Sequence, residues 1–138
     1  KDTKKEKNNR KTGENYEQAA GFYLEQHGYQ ILQYNYRCRI GEIDIVAKEG
    51  ENLVFCEVKY RTGPGKGSPL EAVDARKQRK IFQAAMYYLT EHHISDVPCR
   101  FDVIGIEGQG PAGEECILRI EKKGQNMSLG LIYKNAAH

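Results

Sequence analysis

The chain has 138 residues, enough for one domain with a real core. Its formal net charge is only +2, so bulk charge does not argue for a nucleic-acid partner and any such case rests on local patches. No apolar stretch reaches membrane-spanning length, no signal peptide is visible, and the four cysteines (Cys38, Cys56, Cys99, Cys116) are too widely spaced for a zinc site, which suits reduced thiols in a cytoplasmic protein.

Lys1 to Thr12 are rich in Lys and Arg and lack apolar periodicity. They predict a basic disordered tail, either solubilising or an arm that touches phosphates. Glu14 to His27 fit an amphipathic helix with Tyr16, Ala19, Ala20, Tyr23 and Leu24 on one stripe, Thr12 as N-cap and Gly28 as the stop. Glu17 flanks that stripe and is expected to be partly buried. Tyr29 to Arg39 predict a strand, with Arg37 and Arg39 on one side, suited to phosphate contact or to ordinary edge-strand charge.

Gly41 to Arg61 hold the densest chemistry. Gly41–Ala47 and Leu53–Tyr60 are strand-like, and the polar residues 48–52 between them predict a hairpin. A turn centred between Gly50 and Glu51 sets Asp44 opposite Glu57, with Cβ atoms ~4.5–5.5 Å apart. Alternation then places Glu42, Asp44, Glu57 and Lys59 on one face beside Val46 and Phe55. Ile43, Ile45, Ala47, Val54, Cys56 and Val58 form an apolar face behind them. Opposed carboxylates repel unless a proton or cation lies between them. Mg2+ takes oxygen ligands and often uses only one or two carboxylates together with waters and substrate phosphate. Lys59 is placed to orient or activate an attacking water, or to stabilise charge on a phosphate. The structural alternative is a stabilising ion-pair network of Asp44, Glu57 and Lys59.

Thr62 to Gly67 read as a loop bordering this site, without the glycine spacing of a phosphate-binding P-loop. Ser68, Pro69 and Glu71 form a capping signal for a helix running to about His92, with Leu70, Val73, Ile81, Ala84, Ala85, Tyr88 and Leu89 on its core stripe. The basic run from Arg76 to Lys80 in its middle is a solvated face or a phosphate track. Arg100 to Glu107 predict a strand in which Asp102 pairs with Arg100 or another basic residue. A glycine-rich loop then leads to a last strand, Cys116 to Ile120. The histidines (His27, His92, His93, His138) show no nucleophile–base arrangement, and His92-His93 sit at a helix end, where positive charge is favourable.

Gly41-Glu42-Ile43-Asp44, a turn, and then Phe55-x-Glu57-Val58-Lys59-x-Arg61 resemble the metal-dependent nuclease signature of the restriction-endonuclease-like superfamily. The chain is more closely similar to the YraN-like family of small bacterial proteins, which in turn resembles the archaeal Holliday junction resolvases. Gly13-x-x-x-Glu17-x-x-Ala20-x-x-Tyr23-Leu24 matches that family's opening motif. Tyr16 stands where the family usually has Gly, and Glu14 is a rival to Glu17. Lys77 and the run Arg100-Phe101-Asp102-Val103-Ile104 match as well, and the likeness ends near Ile120.

The resemblance implies an α/β, restriction-endonuclease-like fold: a mixed central sheet of about five strands flanked by helices, over residues 13–121, between a basic tail (1–12) and a C-terminal tail (122–138). It implies Mg2+ or Mn2+ held by Asp44, Glu57, the backbone carbonyl of Val58 and Glu17, the last directly or through water, with Lys59 activating the water. Arg37, Arg39, Arg61, Lys77, Arg79 and Lys80 are the candidate contacts to DNA. The implied activity is hydrolysis of DNA phosphodiester bonds leaving a 5′-phosphate, at branched or junction structures by analogy, with a homodimer as in the resolvases. A non-catalytic nucleic-acid-binding or adaptor protein that kept the fold is the open alternative, favoured by the mildly acidic balance outside the N-terminal tail.

Overall fold

The structure, a computed structural model, describes residues 16–62, 74–108 and 117–127. A helix over residues 16–26 (α1) is followed by β1 (Gln30–Arg37), β2 (Glu42–Glu49) and β3 (Asn52–Thr62). Then come α2 (Ala75–Glu91), β4 (Cys99–Gly108) and β5 (Ile117–Met127). The strands lie side by side in chain order. β1, β2 and β3 form an antiparallel meander, whereas β3 and β4 are parallel. Parallel neighbours need a long crossover, which the segment containing α2 supplies. β1 to β4 make up the body of this mixed sheet, and β5 pairs antiparallel with β4. The chain is thus α/β, with helices flanking a mixed sheet.

The hairpin forms because Gly50 adopts φ +60, a conformation open to glycine at no steric cost, and a two-residue turn at Gly50-Glu51 sets the register. Lys48 pairs with Leu53, Ala47 with Val54 and Ile45 with Cys56, as the turn position predicts. Alternation then separates two cores. Leu53, Phe55, Phe101 and Val103 pack under α2 with Ile81, Ala84, Ala85, Tyr88 and Leu89. Val54, Cys56, Ile104 and Ile106 pack under α1 with Ala20 and Leu24. Fully burying a side chain such as Leu24 or Phe101 contributes about 1.5–3 kcal/mol each.

Both helices end in the same way. After α1, Gly28 takes φ +88 while the Tyr29 amide donates to the Leu24 carbonyl and the Gly28 amide to that of Glu25. After α2, His93 takes φ +54, with the Ile94 amide donating to Leu89 and that of His93 to Thr90. These are Schellman caps, the first with its usual glycine and the second with a histidine in the left-handed position. Gly21 lets α1 approach β1 closely, since a Cβ there would collide with the Tyr34 hydroxyl.

Three expectations need correction. The helix expected from Ser68 is not continuous through residue 74: Asp74 has extended backbone (ψ 177) and its carboxylate accepts from the Lys77 amide at 2.8 Å, so α2 starts at Ala75. The last strand does not stop at Ile120 but extends over Lys122 to Met127. Ile43 does not share a core with Ile45, a point developed below. The predicted Thr12 cap, Glu14, the tail 1–12, the loop after Thr62, the capping residues Ser68, Pro69 and Glu71, and Leu70, Val73, Cys116 and His138 lie outside the described residues.

One buried polar group ties the α1 side together. Asp102 is fully buried, 0% exposed. The Arg100 Nε and Nη2 donate to its two oxygens at 2.8 and 2.9 Å, and the Tyr29 hydroxyl donates to Oδ2 at 2.8 Å. Arg100 Nη2 also reaches Glu49 Oε1 at 2.6 Å, next to the hairpin turn. Every oxygen of Asp102 is satisfied, as expected for a structural ion pair. Breaking such a pair leaves an uncompensated buried charge. Arg100→Met is therefore expected to lower unfolding free energy by about 3–5 kcal/mol in urea titrations, and a loss below ~1 kcal/mol, the level of a surface pair, would contradict the assignment.

Candidate active site

The site lies where the β2–β3 ladder ends. The paired register runs down the hairpin to Ile45 and Cys56 and goes no further. The next backbone exchange in that register would join Ile43 and Val58. Instead the Val58 amide donates to Asp44 Oδ2 at 2.8 Å. A carboxylate thus replaces a strand carbonyl, and β2 and β3 part with Asp44 in the gap. A strand residue's N–H and C=O leave the backbone on the same side, so the Val58 carbonyl opens onto this gap too.

Packing on either side of Asp44 explains its position. Ile45 belongs to the α1-side core and Ile43 to the α2-side core, although they are two residues apart. Regular alternation would put both on one face, so the expectation that Ile43 joins the apolar face with Ile45 fails at Asp44. The neighbouring strand breaks at the same level. Tyr34 pairs with Ile45 and Tyr36 with Ile43, so Asn35 sits level with Asp44. Asn35 has φ +53, the left-handed region that Asn tolerates better than most residues. Tyr34 lies against Gly21 on α1, whereas Tyr36 lies edge-on to Tyr88 of α2 and donates its hydroxyl to Glu91 at 2.8 Å. Both strands therefore change face at Asn35 and Asp44. Sequence reasoning missed Asn35; the available signal was an Asn inside a strand otherwise rich in Ile, Leu and Tyr.

Glu57 stands on the α2 face of β3 and is buried, only 5% exposed. Its Oε1 lies 3.4 Å from Lys59 Nζ and 3.4 Å from Lys77 Nζ. Lys59 follows on the same face of the strand, and Lys77 arrives from the first turn of α2. The structure thus brings together Asp44, Glu57, Lys59 and Lys77, whose sequence assignment was to a phosphate track. Glu17 is half-buried on α1 and near enough to add to the negative field at Asp44.

That field is strong. Burial first, and then the Glu57 carboxylate, push the Asp44 carboxyl up from its ordinary value of 3.8 to about 7. The Val58 amide works against the rise, and Glu17 and Glu42 add to it. Asp44 and Glu57 are near enough to repel, and a proton or cation at Asp44 relieves that repulsion. Among the described residues no three His, Cys, Asp or Glu side chains converge as a metal cage. The donors present are hard oxygens: two carboxylates and a backbone carbonyl. They fit an ion such as Mg2+, which completes its shell with water and substrate oxygen.

The other candidate contacts are spread more widely. Arg37 is exposed at the end of edge strand β1 and pairs with Glu42 at 3.3 Å. Arg39 is exposed in the β1–β2 connection, and Arg79 and Lys80 are exposed on α2. The side chain of Arg61 lies outside the described residues.

A family model described as uncharacterised protein family UPF0102 matches residues 16–106. The chain belongs to the UPF0102 family. A UPF0102 protein of Lachnoclostridium phytofermentans is 56% identical over 89 residues, 64% of this chain and 75% of its own length. One of Geobacter metallireducens is 48% identical over 102 residues, covering 74% and 84% of the two chains. One of Symbiobacterium thermophilum is 48% identical over 104 residues, covering 75% and 87%. The UPF0102 match runs from α1 into β4. It therefore spans Glu17, Asp44, Glu57, Lys59 and Lys77 and leaves β5 outside.

The raised Asp44 pKa has a definite sign in stability. Between pH 3.8 and about 7 the folded carboxyl keeps a proton that the unfolded chain has released. Metal-free stability therefore falls as pH rises through this window, by at most about 1.4 kcal/mol per pH unit for one proton. Urea unfolding in EDTA should show this slope in the wild type and a flatter profile in Asp44→Asn. Parallel profiles for the two proteins would contradict the assignment.

Proposed function

We propose that this UPF0102 protein is a divalent-metal-dependent nuclease that hydrolyses DNA phosphodiester bonds, in a restriction-endonuclease-like fold. The observation that supports this reading best is Asp44, bonded to the Val58 amide at the parted end of the β2–β3 ladder, within the field of buried Glu57, which has Lys59 on its carboxylate. Such a gap brings together oxygen donors for a cation and an ammonium group for a phosphate.

In this reading Asp44, Glu57 and the Val58 carbonyl would hold Mg2+ or Mn2+, with Glu17 contributing directly or through water. The bound ion supplies positive charge against the phosphate and favours ionisation of a water. Lys59 orients the attacking water and offsets charge that builds on the non-bridging phosphate oxygens. The water oxygen attacks phosphorus in line, the bond to the 3′-oxygen breaks, and a 5′-phosphate and a 3′-hydroxyl remain. Likeness to the resolvases carries the choice of branched or junction DNA and of a working homodimer, and a cytoplasmic location rests on reading the widely spaced cysteines as reduced thiols. No described helix is long and apolar enough to cross a membrane.

One observation favours a second reading. Glu57 already has two lysines at 3.4 Å, which is also how a closed, non-catalytic ion-pair cluster would look. A binding or adaptor protein that kept the fold would have such a cluster.

Cleavage assays on junction, duplex and single-stranded DNA separate the two readings. The nuclease reading predicts cleavage with Mg2+ or Mn2+ that EDTA abolishes. Asp44→Ala and Lys59→Met should each lower the rate about 10²–10⁴-fold while retaining a cooperative thermal transition. DNA binding without cleavage of any of these substrates would favour the binding protein. Cleavage that survives Asp44→Ala would exclude this gap as the site.

A further inference from the structure

Lys59 and Lys77 meet the same oxygen of Glu57, but they are held differently. Lys59 is set by β3 itself, two residues after Glu57, and its side chain is 29% exposed. Lys77 comes from another element and its side chain is 41% exposed. Its backbone is pinned, because its amide donates to the N-capping carboxylate of Asp74 at 2.8 Å. The root of Lys77 is therefore fixed while its four-carbon stem is free to change partners. Arg76, Arg79 and Lys80 are exposed on the same helix, so a phosphate chain drawn to that surface would pass beside Lys77.

A divalent ion on Glu57 would compete with both ammonium groups for one carboxylate and repel them. Lys59 is the less exposed of the two and springs from the same strand face as Glu57. Lys77 has an open path to solvent.

We propose that Lys77 is a transferable cation: it holds Glu57 in the metal-free protein and passes to a backbone phosphate of DNA when a divalent ion takes Glu57. Metal and DNA then bind cooperatively, with one side chain coupling them. The inference rests on the reading of Asp44 and Glu57 as a cation site, and it adds that each ligand strengthens the binding of the other.

The exchange gives Lys77→Met two effects of opposite sign. Removing the competing ammonium should tighten Mn2+ binding in calorimetry, by about 1.5- to 5-fold if the half-exposed pair has the usual strength. The same variant should weaken binding to a fluorescein-labelled duplex, measured by anisotropy, more when Ca2+ is present than when it is absent. With Ca2+ the slope of log affinity against log salt should drop by ~0.9, the value for one phosphate contact. Without Ca2+ the slope should drop by clearly less, because Lys77 is then held in part by Glu57. Lys77→Arg should restore the slope seen with Ca2+.

Wild-type protein that binds no Mn2+, with or without the duplex, would overturn both the cation site and the exchange. Wild-type binding with unchanged or weaker Mn2+ affinity in Lys77→Met would overturn the exchange alone. A slope that falls equally with and without Ca2+ would do the same, and would leave Lys77 as an ordinary phosphate contact.

Discussion

The hydrogen bond from the Val58 amide to Asp44 fixes the candidate site. In a continued hairpin that amide would go to a carbonyl of β2. Given to a side chain, it ends the ladder and opens the gap. It also anchors one oxygen of Asp44, whose carboxyl lies within the field of Glu57. The switch of faces at Asn35 and Asp44 lets both strands bend here while Tyr36 and Ile43 still reach the α2-side core. The site is thus built from backbone that has stopped pairing with itself.

The molecule handles buried charge in two ways. Around Asp102, Arg100 and Tyr29 satisfy both carboxylate oxygens, and the result is a closed network that ties the hairpin turn to β4 and the α1 side. Around Asp44 burial and the negative charge of Glu57 drive the group towards neutrality. A sheet that needed only stability would gain little from the second arrangement, since buried polar groups are costly unless paired. Strained electrostatics of this kind, beside a basic helix, are more common at functional sites than in structural cores.

Much of this could be read from the chain. The turn at Gly50 fixed which residues face one another, and alternation separated Phe55 and Glu57 from Val54 and Cys56. Asp102 with Arg100 in the same strand was legible as an ion pair because i and i+2 share a face. The break at Asp44 was not legible: strand periodicity assumes that pairing continues, and only the tertiary demand for Ile43 under α2 shows that it stops. Lys77 was visible as one of several basic residues, but its reach to Glu57 depends on where α2 begins. The sequence favoured a cap at Ser68, while the helix is capped by Asp74. The His93 cap was hidden for a related reason, since a non-glycine residue in the left-handed position carries no composition signal.

On the proposed reading, Asp44 and Glu57 together hold a divalent ion. The most direct measurement is a calorimetric Mn2+ titration of the wild type and of Asp44→Asn, run below and above pH 7 in buffers of different ionisation enthalpy. Such a site should give one class of binding in the wild type, with about one proton released at the lower pH because Asp44 must ionise, and should be lost in Asp44→Asn. Equal Mn2+ affinity in the two proteins, or wild-type binding with no proton release at the lower pH, would contradict it.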